Sequence, residues 1–233
     1  MSKKITKNRQ KINELIKDVE NKIYSLDEAI EMAKKTSFVK FDASIDISLK
    51  LNLDTRKADQ QLRGSVSLPN GTGKIIRVLA TSDEKEQLDL AKKAGANIVA
   101  NKSDLEEILK SEKFDFDIMV TDPKMMPTLG KYGKVLGPKG LMPNPKTGTV
   151  TPNIAKAVEE IKKGKANYRA DKGGIINSSI GKVSMGTTSL VENAKVLIDT
   201  IRKLKPATVK GIYMQNLTIS TTMGPSFKIK IEN

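Results

Sequence analysis

The sequence contains neither cysteine nor histidine, and each absence excludes a kind of chemistry. Without cysteine there is no disulfide framework and no thiolate nucleophile. Without histidine the Ser-His and Cys-His catalytic pairs are excluded, together with histidine ligands for a metal ion. The sequence therefore offers no catalytic residue and no metal ligand of these types.

Aromatic residues and long apolar runs are also scarce. Phe, Trp and Tyr make up 4% of the 233 residues, too few for a broad platform of stacked bases such as the sheet of an RNA recognition motif. No apolar run approaches the roughly 20 residues that span a bilayer. The basic segment MSKKITKNRQK is not followed by an apolar stretch, so we expect no secretory signal. These features predict a globular protein of the cytoplasm with no segment that spans a membrane.

Positive charge, by contrast, is abundant. The sequence has 41 Lys and Arg against 27 Asp and Glu, which gives a formal net charge of +14. Such a charge predicts an anionic partner, for which RNA, DNA and an acidic membrane surface are the candidates. The excess is concentrated in the C-terminal third and in residues 123–158, which contain no Asp or Glu. Since aromatic residues are few, we expect recognition through phosphates, backbone and shape.

Residues 74–121 are predicted to alternate between strands and helices. The expected strands are three short segments rich in apolar residues: 74–81, 97–100 and 115–121. A helix capped by Ser82 or Asp83 and ended by Gly95 fits between the first two, and Ser103 caps a second helix. The expected apolar stripe of the first helix is Leu88, Leu90, Ala91 and Ala94. This alternation predicts a small parallel, Rossmann-like α/β unit.

The two ends of the sequence follow a different pattern. Apolar residues occupy every second position of 41–53, which predicts a half-buried strand of an antiparallel sheet, and SFKIKI (226–231) repeats the alternation. Between 190 and 204 the apolar residues have helical spacing, and Pro206 ends that helix. Both ends therefore predict α+β structure around the parallel unit.

These patterns predict a mixed α/β and α+β fold with two domains. Residues 1–72 and 162–233 form one discontinuous α+β domain, into which residues 73–161 insert a Rossmann-like three-layer α/β domain. Three consecutive domains of about 70 to 90 residues would each be small for a separate core. The predicted hinge residues, where the chain crosses between the two domains, are Gly71, Gly73 and Gly164.

The segment NGTGK (70–74) contains part of a phosphate-binding loop. A complete motif is G-x-x-x-x-G-K-[ST], but Leu68 replaces its first glycine and Ile75 its hydroxyl residue. No G-x-G-x-x-G follows the strand predicted at 74–81, and acidic residues stand where a pyrophosphate would bind. We interpret the segment as a turn at the domain junction, and we expect no nucleotide cofactor.

Three aspartates, Asp115, Asp117 and Asp122, flank the last predicted strand of this unit. Carboxylates at the end of a strand are suitable ligands for magnesium. Polar residues are equally typical of the entrance to a strand. Because no phosphate motif accompanies the aspartates, the pattern favours the strand entrance.

Residues 123–149 are rich in glycine, proline and lysine. Lysine supplies charge and glycine lets backbone amides approach phosphates, which favours contact with a nucleic acid. The prolines also fit a rigid connector whose lysines are merely solvated. Composition leaves both interpretations open. For STTMGPS (220–226), an RNA-facing turn and an ordinary turn before the last strand are likewise open.

Four segments together resemble the ribosomal protein L-one family in its bacterial form. They occur in the order found in the family, and the resemblance runs nearly from end to end. The segments are FDASIDISLKL (41–51), DQQLRGSVSLPNGTGK (59–74), GKVLGPKGLMPNPKTGTV (133–150) and STTMGPS (220–226).

The resemblance implies a fold and a function. Members of this family have a discontinuous α+β domain, an inserted Rossmann-like domain and two hinge strands. It implies a monomer within the ribosome that binds the stalk region of large-subunit rRNA and helps to move and release deacylated tRNA at the exit site. It also implies repression of the protein's own operon through an mRNA site that imitates the rRNA, with no enzymatic activity and no cofactor.

The resemblance also implies which residues bind RNA. The principal rRNA and mRNA contacts belong to the discontinuous domain: Lys40, Phe41, Ser44, Arg169, Lys172, Thr221, Thr222, Met223 and Gly224. Asn216 occupies a position where some members have serine. Lysines of the loop 123–149 are a secondary RNA contact in this interpretation: Lys131, Lys134, Lys139 and Lys146.

Two alternative functions remain to be distinguished. A doubly wound, phosphate-using enzyme would require a phosphate cradle at the carboxyl end of a strand, which the sequence does not supply. A purely regulatory mRNA- or DNA-binding protein outside the ribosome would have the same charge but would not fractionate with the large subunit.

Overall fold

The computed structural model describes residues 22–111 and 114–231, together with Gln10, Ile12 and Glu14. Its strands, numbered in chain order, are β1 (Ile23–Tyr24), β2 (Ser44–Leu51), β3 (Arg63–Ser67), β4 (Val78–Thr81), β5 (Ile98–Ala100), β6 (Ile118–Thr121), β7 (Lys165–Arg169), β8 (Ile175–Lys182), β9 (Met214–Thr221) and β10 (Ser226–Ile229). Its helices are α1 (Leu26–Lys35), α2 (Lys85–Lys93), α3 (Lys102–Ser111), α4 (Met126–Lys131), α5 (Gly133–Leu136), α6 (Ile154–Lys162) and α7 (Thr187–Lys203). Short 3₁₀ turns cover Ala58–Gln60, Pro123–Met125 and Pro145–Thr147.

The chain divides into two compact units. The first contains the described residues of Met1–Leu62 together with Leu68–Gly73 and Tyr168–Asn233. The second contains Arg63–Ser67 and the described residues of Lys74–Asn167. Strand β3 pairs with β7 in a sheet of two strands. The predicted mixed α/β fold class is confirmed.

The first unit contains a sheet of five strands in the order β1-β10-β9-β2-β8. Strand β2 is antiparallel to both of its neighbours, whereas β1 runs parallel to β10. Ile45, Ile47, Leu49 and Leu51 of β2 are at most 1% exposed, so the alternation predicted for 41–53 is confirmed over the shorter range that forms the strand. Phe227 of β10 is buried as well, with its ring edge-on to that of Tyr24.

Helices α1 and α7 pack against each other in this unit. Helix α1 begins with a capping box, in which the Ser25 hydroxyl accepts from the Glu28 backbone N–H and the Glu28 carboxylate accepts from that of Ser25. Helix α7 buries the predicted apolar stripe, including Leu190, Leu197 and Ile201. The stripe ends there, because Leu204 is the exposed C-cap residue.

The second unit contains a parallel sheet in the order β5-β4-β6. Apolar residues of its central strand alternate between two cores. Leu79 joins the core formed with α3, α4 and α5, whereas Val78 and Ala80 join the core formed with α2 and α6. Helices therefore cover both faces of the sheet, and the Rossmann-like three-layer arrangement predicted for this part of the chain is present.

Several local predictions in this unit are wrong. The strand predicted at 74–81 begins only at Val78, and Ile75 is 88% exposed. Helix α2 begins after Glu84 without a side-chain cap. The Ser82 hydroxyl donates to the Asp122 carboxylate and accepts from the Glu84 backbone N–H at 3.1 Å, which lies before the first turn of the helix. Leu90, placed in the apolar stripe, is 47% exposed.

The cap predicted for the next helix is wrong as well. Asn101 rather than Ser103 caps helix α3, because the Asn101 Oδ1 accepts from the backbone N–H groups of Ser103 and Asp104 at 2.9 and 3.0 Å.

The predicted hinge glycines adopt left-handed backbone angles. Gly71, Gly73 and Gly164 have φ values of 68°, 66° and 108°. Gly71 closes a turn by donating its N–H to the Leu68 carbonyl at 3.1 Å. The turn interpretation of NGTGK matches this geometry, and hinge motion itself stays a prediction.

Candidate nucleic-acid interface

A turn after β9 is fastened to the start of β2. The Thr222 backbone N–H donates to the Ser44 carbonyl at 3.0 Å. The Ser44 N–H donates in return to the Thr222 hydroxyl at 3.2 Å. This reciprocal pair brings together two segments that are far apart in the sequence. The structure thus joins the predicted site residues of 40–44 to those of 221–224.

Lys182, at the end of β8, completes this corner of the sheet. It lies opposite Ser44 in the strand register, and its ammonium group donates to the Ser44 hydroxyl at 2.9 Å and to the Asp42 carbonyl at 3.4 Å. The Asp42 carboxylate accepts from the backbone N–H and the hydroxyl of Ser184 at 3.1 and 2.8 Å. These contacts fix the chain just after Lys40 and Phe41.

Two apolar side chains project from this corner into solvent. Met223 is 84% exposed and Phe41 is 57% exposed. Met223 is also the one non-glycine residue of the described chain with positive φ, at 65°. A left-handed backbone at a residue with a Cβ atom costs about 1–2 kcal/mol. An exposed apolar side chain held in a strained conformation indicates a binding role rather than a packing role. Lys40 beside Phe41 is exposed as well.

Thr221 and Gly224 shape the turn rather than project from it. The Thr221 side chain is buried, and its hydroxyl has no hydrogen-bond partner in the described structure. The Gly224 N–H donates to the Thr221 carbonyl at 2.8 Å. A Cβ atom at position 224 would lie 2.0 Å from the Thr221 hydroxyl oxygen. Gly224 is therefore required for the tight turn that presents Met223.

Arg169 and Lys172 lie at the other end of β2. Lys172 belongs to the turn before β8, where its carbonyl accepts from the Thr55 hydroxyl at 3.1 Å. The register pairs Ser44 with Lys182 at one end of β2 and Lys50 with Ile175 at the other. Six residue steps along β2, at about 3.3 Å each, separate Ser44 from Lys50 by ~20 Å. The predicted site residues thus fall into two groups rather than one.

Small polar side chains connect the two groups across one face of the sheet. They alternate with the buried apolar residues and stand in cross-strand rows: Ser220–Asp46–Ser179 and Thr218–Ser48–Asn177, followed by Asn216–Lys50. The Ser48 hydroxyl donates to the Asn177 amide oxygen at 2.7 Å. Hydroxyl and amide groups on a flat surface suit the 2′-hydroxyls and sugar edges of RNA. Only the alternation pattern of β2 hinted at this face in the sequence.

Asn193 is a structural residue that sequence reasoning missed. It is completely buried on α7, where its Nδ2 donates to the carbonyls of Gly71 and Ile180, both at 2.8 Å. Its Oδ1 accepts from the Asn70 backbone N–H at 3.1 Å. Asn193 therefore fixes the segment Leu68–Gly73 within the first unit. A polar residue inside an apolar helical stripe was the available signal.

The lysines of residues 123–149 differ in their surroundings. Part of this predicted loop is helical, in α4 and α5, with Leu129 and Leu136 buried. The Lys139 ammonium lies 4.2 Å from the ring centroid of Phe114, a cation–π contact that fastens the segment locally. The remaining lysines named as a secondary RNA contact are exposed: Lys131, Lys134 and Lys146.

The three aspartates do not share a common hydrogen-bond partner in the described structure. Asp117 precedes β6 and accepts from the Arg77 backbone N–H at 3.0 Å, whereas Asp122 follows β6 and accepts from Ser82. Asp115 is exposed. In the described residues no group of three or more acidic side chains is arranged to hold a metal ion. Asp115 and Asp117 lie at the entrance to β6, whereas Asp122 lies just after its end.

The described helices include none with the length and apolar character needed to cross a membrane. A sheet face of small polar groups with basic residues at its ends is typical of a protein that binds a polyanion.

Known proteins are similar to this chain over nearly its whole length. The model of the Ribosomal protein L1p/L10e family matches residues 33–225. The large ribosomal subunit protein uL1 of Mycoplasmopsis pulmonis (strain UAB CTIP) is 65% identical over 229 residues, covering 98% of this chain and 99% of that protein. The proteins of the same name from Mycoplasmopsis synoviae (strain 53) and Mesomycoplasma hyopneumoniae (strain 232) are 62% and 56% identical, covering 100% and 99% of both chains.

The chain belongs to the Ribosomal protein L1p/L10e family. It is a ribosomal protein with a structural rather than an enzymatic role, and its location is the ribosome. The resemblance drawn from four sequence segments is thereby confirmed.

Proposed function

We propose that the chain is a component of the large ribosomal subunit that binds the stalk region of its rRNA through the first unit. The observation that carries this proposal is Met223, a strained and exposed apolar residue presented beside Phe41 by a turn fastened to Ser44. Met223 and Phe41 pack against ribose or base, since ring and thioether groups provide contact area without sequence preference. The relatives in the large subunit support the assignment.

The two groups of site residues and the polar rows between them make different contacts with the RNA. Lys40 at one end, and Arg169 and Lys172 at the other, attract phosphates. The polar rows between them bond ribose hydroxyls. A separation of ~20 Å lets one RNA element contact both ends. Such an interface reads RNA shape and ribose rather than a long base sequence.

The same site binds mRNA of the protein's own operon in this proposal. Repression then requires an mRNA element whose shape imitates the rRNA, because the protein has one set of contacts for both. Competition follows directly: rRNA and mRNA exclude each other, and a substitution weakens both together.

Movement and release of deacylated tRNA from the exit site is the further part of the proposal. The exposed lysines Lys131, Lys134 and Lys146 provide a second, weaker RNA contact in the other unit. The protein acts as a monomer within the ribosome, with hinge motion at Gly71, Gly73 and Gly164.

The test compares substitutions at the two surfaces. Binding of the full chain to a transcript of the rRNA stalk is measured by filter retention or gel shift. Met223→Ala and Thr222→Ala each weaken binding by on the order of 1–3 kcal/mol, whereas Lys146→Gln has a small effect. Unchanged binding of the first pair, with loss in Lys146→Gln, contradicts the assigned interface. Loss of the protein from large subunits in gentle salt contradicts the ribosomal role.

A further inference from the structure

Lys182 has a half-buried position inside the proposed RNA interface. Its ammonium group is 2.9 Å from the Ser44 hydroxyl and 3.4 Å from the Asp42 carbonyl, and both residues adjoin the exposed Lys40–Phe41 pair. An ammonium carries three N–H donors. Two are directed at neutral oxygens of the protein, which leaves one donor for an external group.

No carboxylate neutralises this charge within the described structure. Asp42 is the acidic residue beside it, but the Asp42 carboxylate is bonded to the backbone and hydroxyl of Ser184, and only the Asp42 carbonyl faces Lys182. No described ion pair involves Lys182. A partly desolvated cation without a counter-ion is costly in isolation, and an incoming anion recovers that cost.

We propose that Lys182 binds a phosphate of the RNA at this corner of the sheet. The inference rests on the proposed function and adds a charged contact that the sequence motifs do not identify. The ammonium is already held by Ser44 and Asp42, so it loses little freedom when a phosphate arrives. Its phosphate lies next to the nucleotide that contacts Phe41 and Met223.

The stem of Lys182 also lies close to Gly73, at the end of the segment Leu68–Gly73. A Cβ atom added at Gly73 would lie 2.9 Å from the Lys182 Cγ and 3.4 Å from the Met185 sulfur. Met185 is held in turn by Lys34, whose ammonium donates to the Met185 carbonyl at 2.6 Å. A side chain at position 73 would therefore displace the Lys182 stem. The Lys182 side chain therefore connects Gly73, near its stem, with the proposed phosphate contact at its ammonium group.

The first experiment measures affinity for the rRNA stalk transcript over a range of salt concentrations. We expect Lys182→Gln to weaken binding about tenfold at moderate salt. The slope of log K against log salt should fall by about 0.7 to 0.9, the share of one phosphate contact. Lys182→Arg should keep the slope, because the guanidinium also binds phosphate.

The second experiment tests the contact with Gly73. Gly73→Ala should weaken RNA binding in the wild-type background and should have little further effect in Lys182→Gln, because the side chain it displaces is already altered. Gly95→Ala is the control: Gly95 also has positive φ, at 99°, but lies in the other unit beside Lys162. Its substitution should cost stability without changing RNA affinity.

The outcomes separate this inference from the function on which it rests. If Lys182→Gln weakens binding with an unchanged salt slope, Lys182 only positions Ser44, and the phosphate contact is refuted. Unchanged affinity refutes it as well. Additive effects of Gly73→Ala and Lys182→Gln refute the shared side chain. If the unsubstituted chain does not discriminate the stalk transcript from an unrelated RNA, the proposed function itself fails.

Discussion

At the scale of single residues, Met223 shows the conflict between stability and binding. Its backbone has the conformation that glycine prefers, and its side chain is exposed to water. Neither property stabilises the folded chain. Such a residue destabilises the isolated protein, and contact of its side chain with the proposed RNA would account for its presence.

Replacing Met223 with glycine should separate the two properties. We expect Met223→Gly to raise the free energy of unfolding by about 0.5–1 kcal/mol, because the left-handed strain disappears. Affinity for the rRNA stalk transcript should fall at the same time, since the thioether contact is lost. Denaturant unfolding and RNA titration of the same preparation measure both changes.

The matched control is alanine at position 223, which keeps the backbone strain at positive φ and removes the long thioether side chain. Met223→Ala retains a Cβ atom at positive φ and should lose RNA affinity without gaining stability. A glycine variant that binds as tightly as the original chain would show that Met223 contributes nothing to the interface.

At the scale of structural elements, buried polar contacts decide where segments of chain are fastened. Asn193 connects α7 to the segment Leu68–Gly73 and to β8, with every bond formed inside the protein. Hydrophobic packing alone would leave the register of that segment less defined, because apolar contacts are not directional.

Substitution of Asn193 should therefore be strongly destabilising. Asn193→Leu preserves approximate volume but removes the partner of the Asn70 N–H, of the part-buried Gly71 carbonyl and of the Ile180 carbonyl, whose bond to Asn193 is fully buried. We expect a loss of about 2–4 kcal/mol in the free energy of unfolding. Asn70→Ala keeps the backbone N–H and should cost much less, which makes it the matched control. Equal losses would contradict this account.

Asp117 stabilises the entrance to β6 through its charge. Its pKa is lowered from 3.8, chiefly because the Arg77 backbone N–H donates to the carboxylate and then through the Arg77 side chain. A carboxyl whose pKa is lower in the folded chain stabilises the fold at pH above its ordinary value. This contribution is lost as pH falls below about 4.

The pH dependence gives a direct test of that contact. Asp117→Asn should lower stability at neutral pH by less than about 1 kcal/mol, because the group is partly exposed. It should also flatten the loss of stability on acidification below about pH 4. Thermal unfolding from pH 3 to pH 7 compares the two chains. Parallel curves would show that the hydrogen bond does not shift the titration of Asp117.

At the scale of the whole molecule, a net charge of +14 favours association with RNA irrespective of its sequence. Specific recognition requires the ordered arrangement of the two ends of β2 in addition. In the proposed interface, Arg169 and Lys172 attract phosphates at one end of β2. At the other end, Met223 and Phe41 add shape-dependent contacts to the proposed phosphate contacts of Lys40 and Lys182.

The two groups should respond differently to salt. Arg169→Gln together with Lys172→Gln should reduce the slope of log K against log salt by about 1.4 to 1.8. The preference for the stalk transcript over an unrelated RNA should stay nearly unchanged. Met223→Ala should do the opposite and reduce the preference without altering the slope. Identical behaviour of both variants would contradict a division between the two groups.

The sequence predicted elements well where one strong pattern governs them. Alternation identified β2 and β10, and β-branched runs identified the parallel strands of the second unit. Prediction failed where a tertiary contact competes with propensity. Ser82 bonds Asp122 instead of capping α2, and the helical segments α4 and α5 lie in a stretch whose glycines and prolines indicated a loop.

The same limit applies to the candidate site. Lys40, Phe41 and the Thr-Met-Gly turn were named from motifs, but their joining through Ser44 and Thr222 depends on strand pairing across about 180 residues. Lys182 has no local signature, since lysines are common on protein surfaces, and the position of Asn193 in an apolar helical stripe does not show which groups it contacts. Only the hydrogen bonds that they make distinguish them.

The sequence by itself determined the class of partner, the mixed α/β fold and the family, because charge, periodicity and motif order are properties of a linear chain. The tertiary structure decided that the predicted RNA-binding residues form two groups ~20 Å apart, joined by a polar sheet face. It also decided that Thr221 is buried while Met223 is exposed. The physical reason is that the register of an antiparallel sheet determines which side chains are neighbours and which face each one occupies.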